Sequence, residues 1–332
     1  MRPATAPKRV LVTGASGFIG RAVVDLLSAR GIPVRRAVRT LESDDSIDTV
    51  LVGAIDASTD WTHALDGVDV VIHLAARTNA TRGGGDPWHD FRAVNVHATE
   101  ALANACVKAR VRRLVFVSSI AVYGLHSAVT PIIDSTEPRP VSPYGISKLD
   151  AEQALARISA ASGLEIVVLR LPVVYGPQGR GNMERLLSVL SKGVPLPLGS
   201  VNNARSALFV GNCADAILVC ASHPRAVGRT YLVRDGEDIS IGDLVRLLPK
   251  IKGARPARLI KFPLWMLGIA AAAIGRRDDY ERLTGSLVVD DSSIRDELGW
   301  RPPFTVREAV TQTVAWLRTE ANRHGEKQEI GA

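Results

Sequence analysis

Apolar and polar positions along the chain follow two alternating periods. Arg9–Thr13 is a short apolar run, after which Phe18, Ile19, Ala22, Val23, Leu26 and Leu27 recur at helical spacing until Gly31. Val34–Arg39, Thr49–Asp56, Asp69–Ala75, Arg113–Ser118 and Glu165–Leu171 read as further strands. Helices over Asn95–Ala109 and Tyr144–Ala161 lie between them. Strands alternating with helices of this length predict an α/β fold with a doubly wound parallel sheet. Such a sheet binds ligands beyond the carboxyl ends of its strands, so chemistry is sought just after each strand. After Pro172 the pattern loosens into Pro- and Gly-rich loops. It holds a helix around Met183–Leu190, short strands at Arg205–Val210 and Thr230–Val233, and a mostly helical stretch from about residue 236.

Gly14-Ala15-Ser16-Gly17-Phe18-Ile19-Gly20 falls between the first strand and the first helix. A dinucleotide pyrophosphate needs close backbone approach and helix N–H groups aimed at it, and this turn supplies both. The first domain is therefore read as Rossmann-type, over residues 1–171 with 205–235 returning to it. A smaller C-terminal α/β substrate domain takes 172–204 and 236–320, and 321–332 is read as a flexible tail. NAD or NADP is the expected cofactor. The second strand ends without an acid, and Arg39 just past it suits a 2′-phosphate, with Arg36 as a second cation. This tilts the expectation to NADP. Asp56, after the third strand, is the candidate acceptor for the adenine amine.

Tyr144 and Lys148 stand four apart on one predicted helix, which Pro143 is suited to start. An ammonium beside a phenol favours the phenolate and lowers its pKa, so the tyrosine can exchange a proton with a substrate hydroxyl. Ser118 and Ser119 close the fifth strand, where a hydroxyl can hold the reacting oxygen.

Composition narrows the alternatives. Among 332 residues, 41 are basic and 34 acidic, for a net charge of +7. That balance suits anionic small molecules, whereas the scattered basic residues carry no nucleic-acid signature. Three cysteines without a CxxC indicate neither a disulfide framework nor a zinc site, and the seven histidines lack metal-ligand spacing, so no metal is expected. A reducing cytoplasm fits. Phe262–Gly275 (FPLWMLGIAAAAIG) is apolar but too short to span a bilayer. It is read as a buried or partner-facing helix, with an interfacial membrane contact as the alternative.

From Arg9 to Trp316 the chain resembles the extended short-chain dehydrogenase/reductases, the NAD-dependent epimerase/dehydratase group. TGASGFIG matches that family's cofactor loop, HLAA (His73–Ala76) the stretch after the fourth strand, and Asn95 a structural asparagine. SSIAVYG and YGISK match the serine motif and the catalytic pair, and LRLPVVYGP and LGWRPP match segments nearer the C-terminus. The resemblance implies Ser119, Tyr144 and Lys148 as the triad, with Lys148 also holding the nicotinamide ribose. Gly14, Ser16, Gly17, Phe18, Ile19, Gly20, Arg39, Asp56 and Ala75 would line the cofactor. Ser119, Asn182, Arg205 and Arg282 would meet a UDP-sugar, with Arg205 on its diphosphate. It also implies a homodimer through a four-helix contact of the 95–109 and 144–161 helices.

The branch resembled is UDP-glucose 4-epimerase-like and includes UDP-sugar 4-keto reductases of the UDP-N-acetylquinovosamine type. The missing acid after the second strand puts 4-keto reduction slightly ahead of UDP-glucose or UDP-N-acetylglucosamine 4-epimerisation. Val173 replaces a substrate-facing asparagine of many relatives. Ile120, and the absence of acidic pairs beside Tyr144, disfavour a 4,6-dehydratase. A non-catalytic NADP-binding regulator and a steroid- or flavonoid-type reductase are the other readings.

Overall fold

The computed structural model describes residues 7–41, 48–78, 87–125, 127–128, 130–179, 181–191, 193–248 and 257–329. Its centre is a seven-stranded sheet with β1 at Val10–Thr13, β2 at Val34–Val38, β3 at Thr49–Leu51, β4 at Val70–His73, β5 at Arg113–Ser119, β6 at Glu165–Leu171 and β9 at Thr230–Leu232. The order is β3-β2-β1-β4-β5-β6-β9, and every pairing is parallel. The chain runs outward from β1 to β3 and then returns to β4, so the order reverses between β1 and β4. That reversal leaves a crevice at the strands' carboxyl ends.

Strand alternation builds a core on each face of the sheet. Val10, Val12, Ile72, Val115, Val167 and Leu169 pack on one side with Val23, Val24 and Leu27 of α1 (Phe18–Ala29) and with Cys213, Ile217 and Cys220 of α6 (Val210–Ser222). Leu11, Val71, Leu114, Phe116, Ile166 and Val168 face the other way. They meet Leu102 and Cys106 of α3 (Ala98–Lys108) and Ala151 and Leu155 of α4 (Pro143–Ser162). The three thiols are unpaired and buried, and burial raises the pKa of each.

Several elements differ from the sequence expectation. The third strand stops at Leu51, because the chain turns at Gly53, where φ is +70°. The helix expected from Asn95 is preceded by α2 (Pro87–Arg92) and begins with a π-helical segment, Ala93–His97, before α3. Ala207–Phe209 (β8) does not join the main sheet. It pairs in parallel with Val173–Tyr175 (β7) as a separate two-stranded sheet.

A third core lies on this C-terminal side. Tyr175 and Phe209 pack there with Leu187 and Leu190 of α5 (Asn182–Leu190), Ile241 and Leu244 of α7 (Ile241–Leu247), and Val310 and Val314 of α11 (Val306–Glu329). Trp300, from the LGWRPP stretch, is buried against the first core, and its indole N–H donates to Asp215 of α6 at 3.0 Å. The helix α11 continues to Glu329 through the segment read as a tail, and residues 330–332 lie outside the described residues.

The apolar stretch near residue 262 forms α8 (Leu264–Ala273), followed by α9 (Arg277–Thr284). The expectation that α8 is buried is overturned: none of its residues is buried, and Trp265 is 68% exposed. Among the described residues, no helix is long and apolar enough to cross a membrane.

Candidate active site at the carboxyl edge of the sheet

The glycine turn follows β1 at the reversal of strand order. Gly17 N–H donates to the Gly14 carbonyl at 2.9 Å, closing the turn. Gly14 has φ of +68°, and a Cβ on it would lie 2.8 Å from the Ala75 nitrogen, so residue 14 must lack a side chain. A Cβ on Gly20 would collide with the Gly14 carbonyl. Gly20 thus packs on the turn itself.

Gly17 caps α1 with no side-chain hydrogen bond, and the helix has no acid in its first turn. Its leading N–H groups thus face the crevice without an internal anion, which suits a pyrophosphate. Ser16 is exposed, and its carbonyl accepts from Arg21 at 2.9 Å. Phe18 and Ile19 send their side chains into separate hydrophobic clusters and leave their backbones at the turn. These features fit a dinucleotide, whose nicotinamide would act as hydride acceptor or donor when bound.

The fourth strand ends beside this turn. His73 is fully buried, with Nδ1 2.7 Å from Thr13 Oγ1 and Nε2 3.0 Å from Thr99 Oγ1. Burial, reinforced by Lys148, pushes its pKa down to about 3, so it is a neutral strut joining β1, β4 and α3. Asn95 performs a similar task from the π-helical segment. Its carbonyl oxygen accepts from Arg77 N–H, and its amide donates to the Arg77 carbonyl and to Ser147 Oγ. The widened helical turn brings this one side chain to both the loop after β4 and α4.

Tyr144 is the second residue of α4. Ser142 caps that helix by accepting from Gly145 N–H at 3.1 Å, and Pro143 occupies the first turn. Gly145 abuts the carbonyl of Ala121, in the short 3-10 turn Ile120–Tyr123 after β5, so closely that a Cβ would overlap it. This approach delivers Tyr144 to Ser119. Ser119 Oγ accepts from Ala121 N–H at 3.1 Å, which leaves its own proton to donate.

The electrostatics differ from the sequence expectation. Burial holds the Tyr144 phenol above its ordinary pKa, and the Ser119 hydrogen bond works in the opposite direction. The lowering expected from Lys148 is not what the structure shows. The Lys148 ammonium lies over the Phe116 ring, 4.0 Å from its centroid. Its burial pushes the pKa down to about 7, against an upward pull from Glu152.

Glu152 lies one turn beyond Lys148 and was not singled out in the sequence. It is buried, ion-pairs with Arg170 of β6 at 2.6 Å, and accepts from Ser118 Oγ at 2.5 Å. Arg170 also donates to the Tyr123 hydroxyl at 2.8 Å. This network fixes α4 against β5 and β6 beneath the tyrosine. The i, i+4 spacing from Lys148 was the available signal.

Arg205, from the stretch before β8, is partly buried. Its backbone is bridged to Ile239 and to Leu287, and its Nη1 donates to the Gly285 carbonyl at 2.9 Å. Burial, then the nearby positive charge of Arg282 on α9, lowers its pKa. Two guanidiniums that sense each other's charge favour an anion between or beside them. Asn182 is exposed at the start of α5.

The adenine-side candidates are less built. Arg39 is exposed past β2, while Arg36 turns back to the Thr49 hydroxyl, 2.9 Å away. One oxygen of the Asp56 carboxylate accepts from both the backbone and the hydroxyl of Ser58. These bonds hold the acid below its ordinary pKa.

A glycine cradle at a doubly wound sheet's reversal, with a serine and a tyrosine converging beside it, defines a nucleotide-dependent enzyme of the extended dehydrogenase kind. The family model "NAD dependent epimerase/dehydratase family" matches residues 10–242, and the chain belongs to that family. A UDP-glucose 4-epimerase of Vibrio cholerae is 36% identical over 321 residues, covering 96% of this chain and 98% of the relative. An N-acetyl-alpha-D-glucosaminyl-diphospho-ditrans,octacis-undecaprenol 4-epimerase of Escherichia coli O157:H7 is 29% identical, covering 78% of this chain and 77% of the relative. Among solved structures, MoeE5 in complex with UDP-glucose and NAD superposes with a TM-score of 0.73 at 27% identity, covering 94% of this chain and 99% of that one.

Proposed function

We propose that the chain transfers hydride reversibly at carbon 4 of a UDP-linked hexose or hexosamine, as a 4-epimerase. The observation that carries this reading is the meeting of Tyr144 and Ser119 at the mouth of the sheet, beside the uncapped α1 N-terminus. Tyr144 exchanges the proton of the sugar hydroxyl, and Ser119 donates to the same oxygen. Lys148, titrating near neutrality, shifts from the Phe116 face to hold the ribose and favour the phenolate. Arg205 and Arg282 bind the diphosphate, with Asn182 at the rim.

The names of the Vibrio cholerae relative and of the MoeE5 complex support carbon 4 and a UDP-sugar. They also support NAD over NADP. In this reading residues 1–171 and 205–235 hold the dinucleotide, 172–204 and 236–320 hold the sugar nucleotide, and α3 and α4 pair with a second copy.

Incubation of the pure protein with UDP-glucose, and separately with UDP-N-acetylglucosamine, tests this by NMR of the galacto products. Epimerisation without consumption of added cofactor is expected, and Tyr144→Phe should lower turnover by about 10²- to 10⁴-fold. A second reading, 4-keto reduction with NADPH, is favoured by Arg39 in place of an acid after β2. NADPH oxidation with a UDP-4-keto-6-deoxy-hexosamine, and no epimerisation of either UDP-sugar, would replace the first reading by the second.

A further inference from the structure

The α8 helix is apolar on all sides, yet one side alone is covered. Leu264, Leu267, Gly268 and Ala271 recur at helical spacing, and all are partly buried. Leu267 packs on the C-terminal core, Gly268 meets the Tyr280 ring of α9, and the Tyr280 hydroxyl donates to the Leu264 carbonyl at 3.0 Å. The remaining positions face outward. Trp265 and Ile269 are 68% and 63% exposed, Ile274 just past the helix is 70% exposed, and Met266 and Ile260 are exposed as well. A helix that is hydrophobic all round is ordinarily enclosed, and contiguous exposed side chains of this size mark an interaction surface.

Charge identifies the occupant. Residues 250–277 contain Lys250, Lys252, Arg255, Arg258, Lys261, Arg276 and Arg277 and no acid. Those seven equal the whole net charge of +7, and the other thirty-four basic residues are matched by the thirty-four acidic ones. Arg258 and Lys261 are exposed immediately before α8. At its far end, Arg276 and Arg277 pair with Asp279 and Glu281. An apolar protrusion carrying tryptophan, led by the exposed Arg258 and Lys261, complements an anionic bilayer. The acyl boundary takes the apolar side chains, and the phosphates take the lysine and arginine heads.

We propose that α8, with the exposed Arg258 and Lys261 just before it, docks the protein on the surface of an anionic membrane, lying in the interface without crossing it. The contact joins directly to the candidate site, because α9, on which α8 rests, carries Arg282 beside Arg205. Docking thus holds the anion-binding side of the crevice near the lipid headgroups. The inference does not depend on which sugar is turned over.

Sedimentation with vesicles of phosphatidylcholine alone, or with about a third phosphatidylglycerol, tests it with the full-length chain. Binding to the anionic vesicles should be about tenfold or more tighter than to the neutral ones, and should weaken in about 0.5 M salt. The double variant Trp265→Glu, Ile269→Glu should lose this binding while keeping its thermal midpoint and its dinucleotide affinity, because those side chains face away from the protein. Equal binding by the double variant overturns the proposal, as does no binding of the parent chain to anionic vesicles at low salt. Size-exclusion chromatography with light scattering supplies the competing outcome. A parent dimer that the double variant converts to a monomer would assign the face to a second copy of the chain and also overturn it.

Discussion

At the scale of single residues, the site depends on side chains that touch no ligand. The His73 imidazole is enclosed by two threonine hydroxyls and kept neutral by burial, with a pKa of about 3 against an ordinary 6.5. In the unfolded chain the ring protonates as pH falls through about 6.5, whereas in the folded chain it does not until about 3. Between those values the unfolded state binds the extra proton, so folding stability falls with acidification throughout that window. At pH 5 the deficit from this one group is about 2 kcal/mol. Denaturant titrations of the parent and of His73→Asn at pH 7.5 and 5 should show a smaller acid loss in the variant, and identical slopes would refute the assignment.

None of this was legible in the sequence beyond the HLAA match. A histidine's partners at separations of 26 and 60 residues have no local signature. The glycines of the cofactor turn were legible, because their spacing sits between a strand and a helix. Tyr144 and Lys148 were legible as a pair on one face. The partner of the Lys148 ammonium was not, since Phe116 belongs to another strand.

At the scale of elements, the junction of α4 with the turn after β5 decides where the tyrosine stands. Gly145 was visible as a residue of YGISK, but its contact with the Ala121 carbonyl arises when two segments far apart in sequence are brought together. Gly145→Ala leaves the helix propensity improved and the approach blocked. The N-terminal turn of α4 must then move away from Ser119 and carry Tyr144 with it. A misplacement of about 1 Å costs on the order of a hundredfold in turnover. We expect kcat/KM to fall at least about tenfold, with far-UV circular dichroism unchanged. Wild-type turnover in Gly145→Ala would show that this close approach does not position the tyrosine.

Element boundaries were legible where burial on both faces gives an unbroken apolar run. The sixth strand appears over the expected residues, Glu165–Leu171. They were less legible where one side chain reshapes the backbone. Asn95 reaches Arg77 and Ser147 from a π-helical turn that no residue pattern announces.

At the scale of the whole molecule, the crevice closes because distant stretches meet at Arg205. Its backbone pairs on one side with Ile239 and on the other with Leu287, and Asn203 Nδ2 donates to the Leu283 carbonyl at 3.0 Å. Three segments thereby set the Arg205 guanidinium within electrostatic reach of Arg282. The sequence offered Arg205 and Arg282 alike as substrate contacts by resemblance. Their proximity depends on a fold that brings the end of α9 back to the stretch around residue 205. Arg205 is half-buried and Arg282 exposed, and the charge of Arg282 lowers the Arg205 pKa, so an anion bound beside them would offset that repulsion in the liganded state. A charged hydrogen bond contributes about 1.5–3 kcal/mol, which corresponds to about ten- to a hundredfold in affinity. Arg205→Ala should therefore raise KM for the UDP-sugar by that factor and weaken UDP binding by calorimetry, while kcat and dinucleotide affinity change far less. Arg282→Ala, more exposed, should do the same on a smaller scale. Removing either cation should also relieve the repulsion in the empty site, so the thermal midpoint without ligand should hold or rise. A variant that loses kcat and KM performance together with its thermal midpoint would instead make Arg205 a brace of the three-segment junction, and the diphosphate would have to bind elsewhere along the crevice.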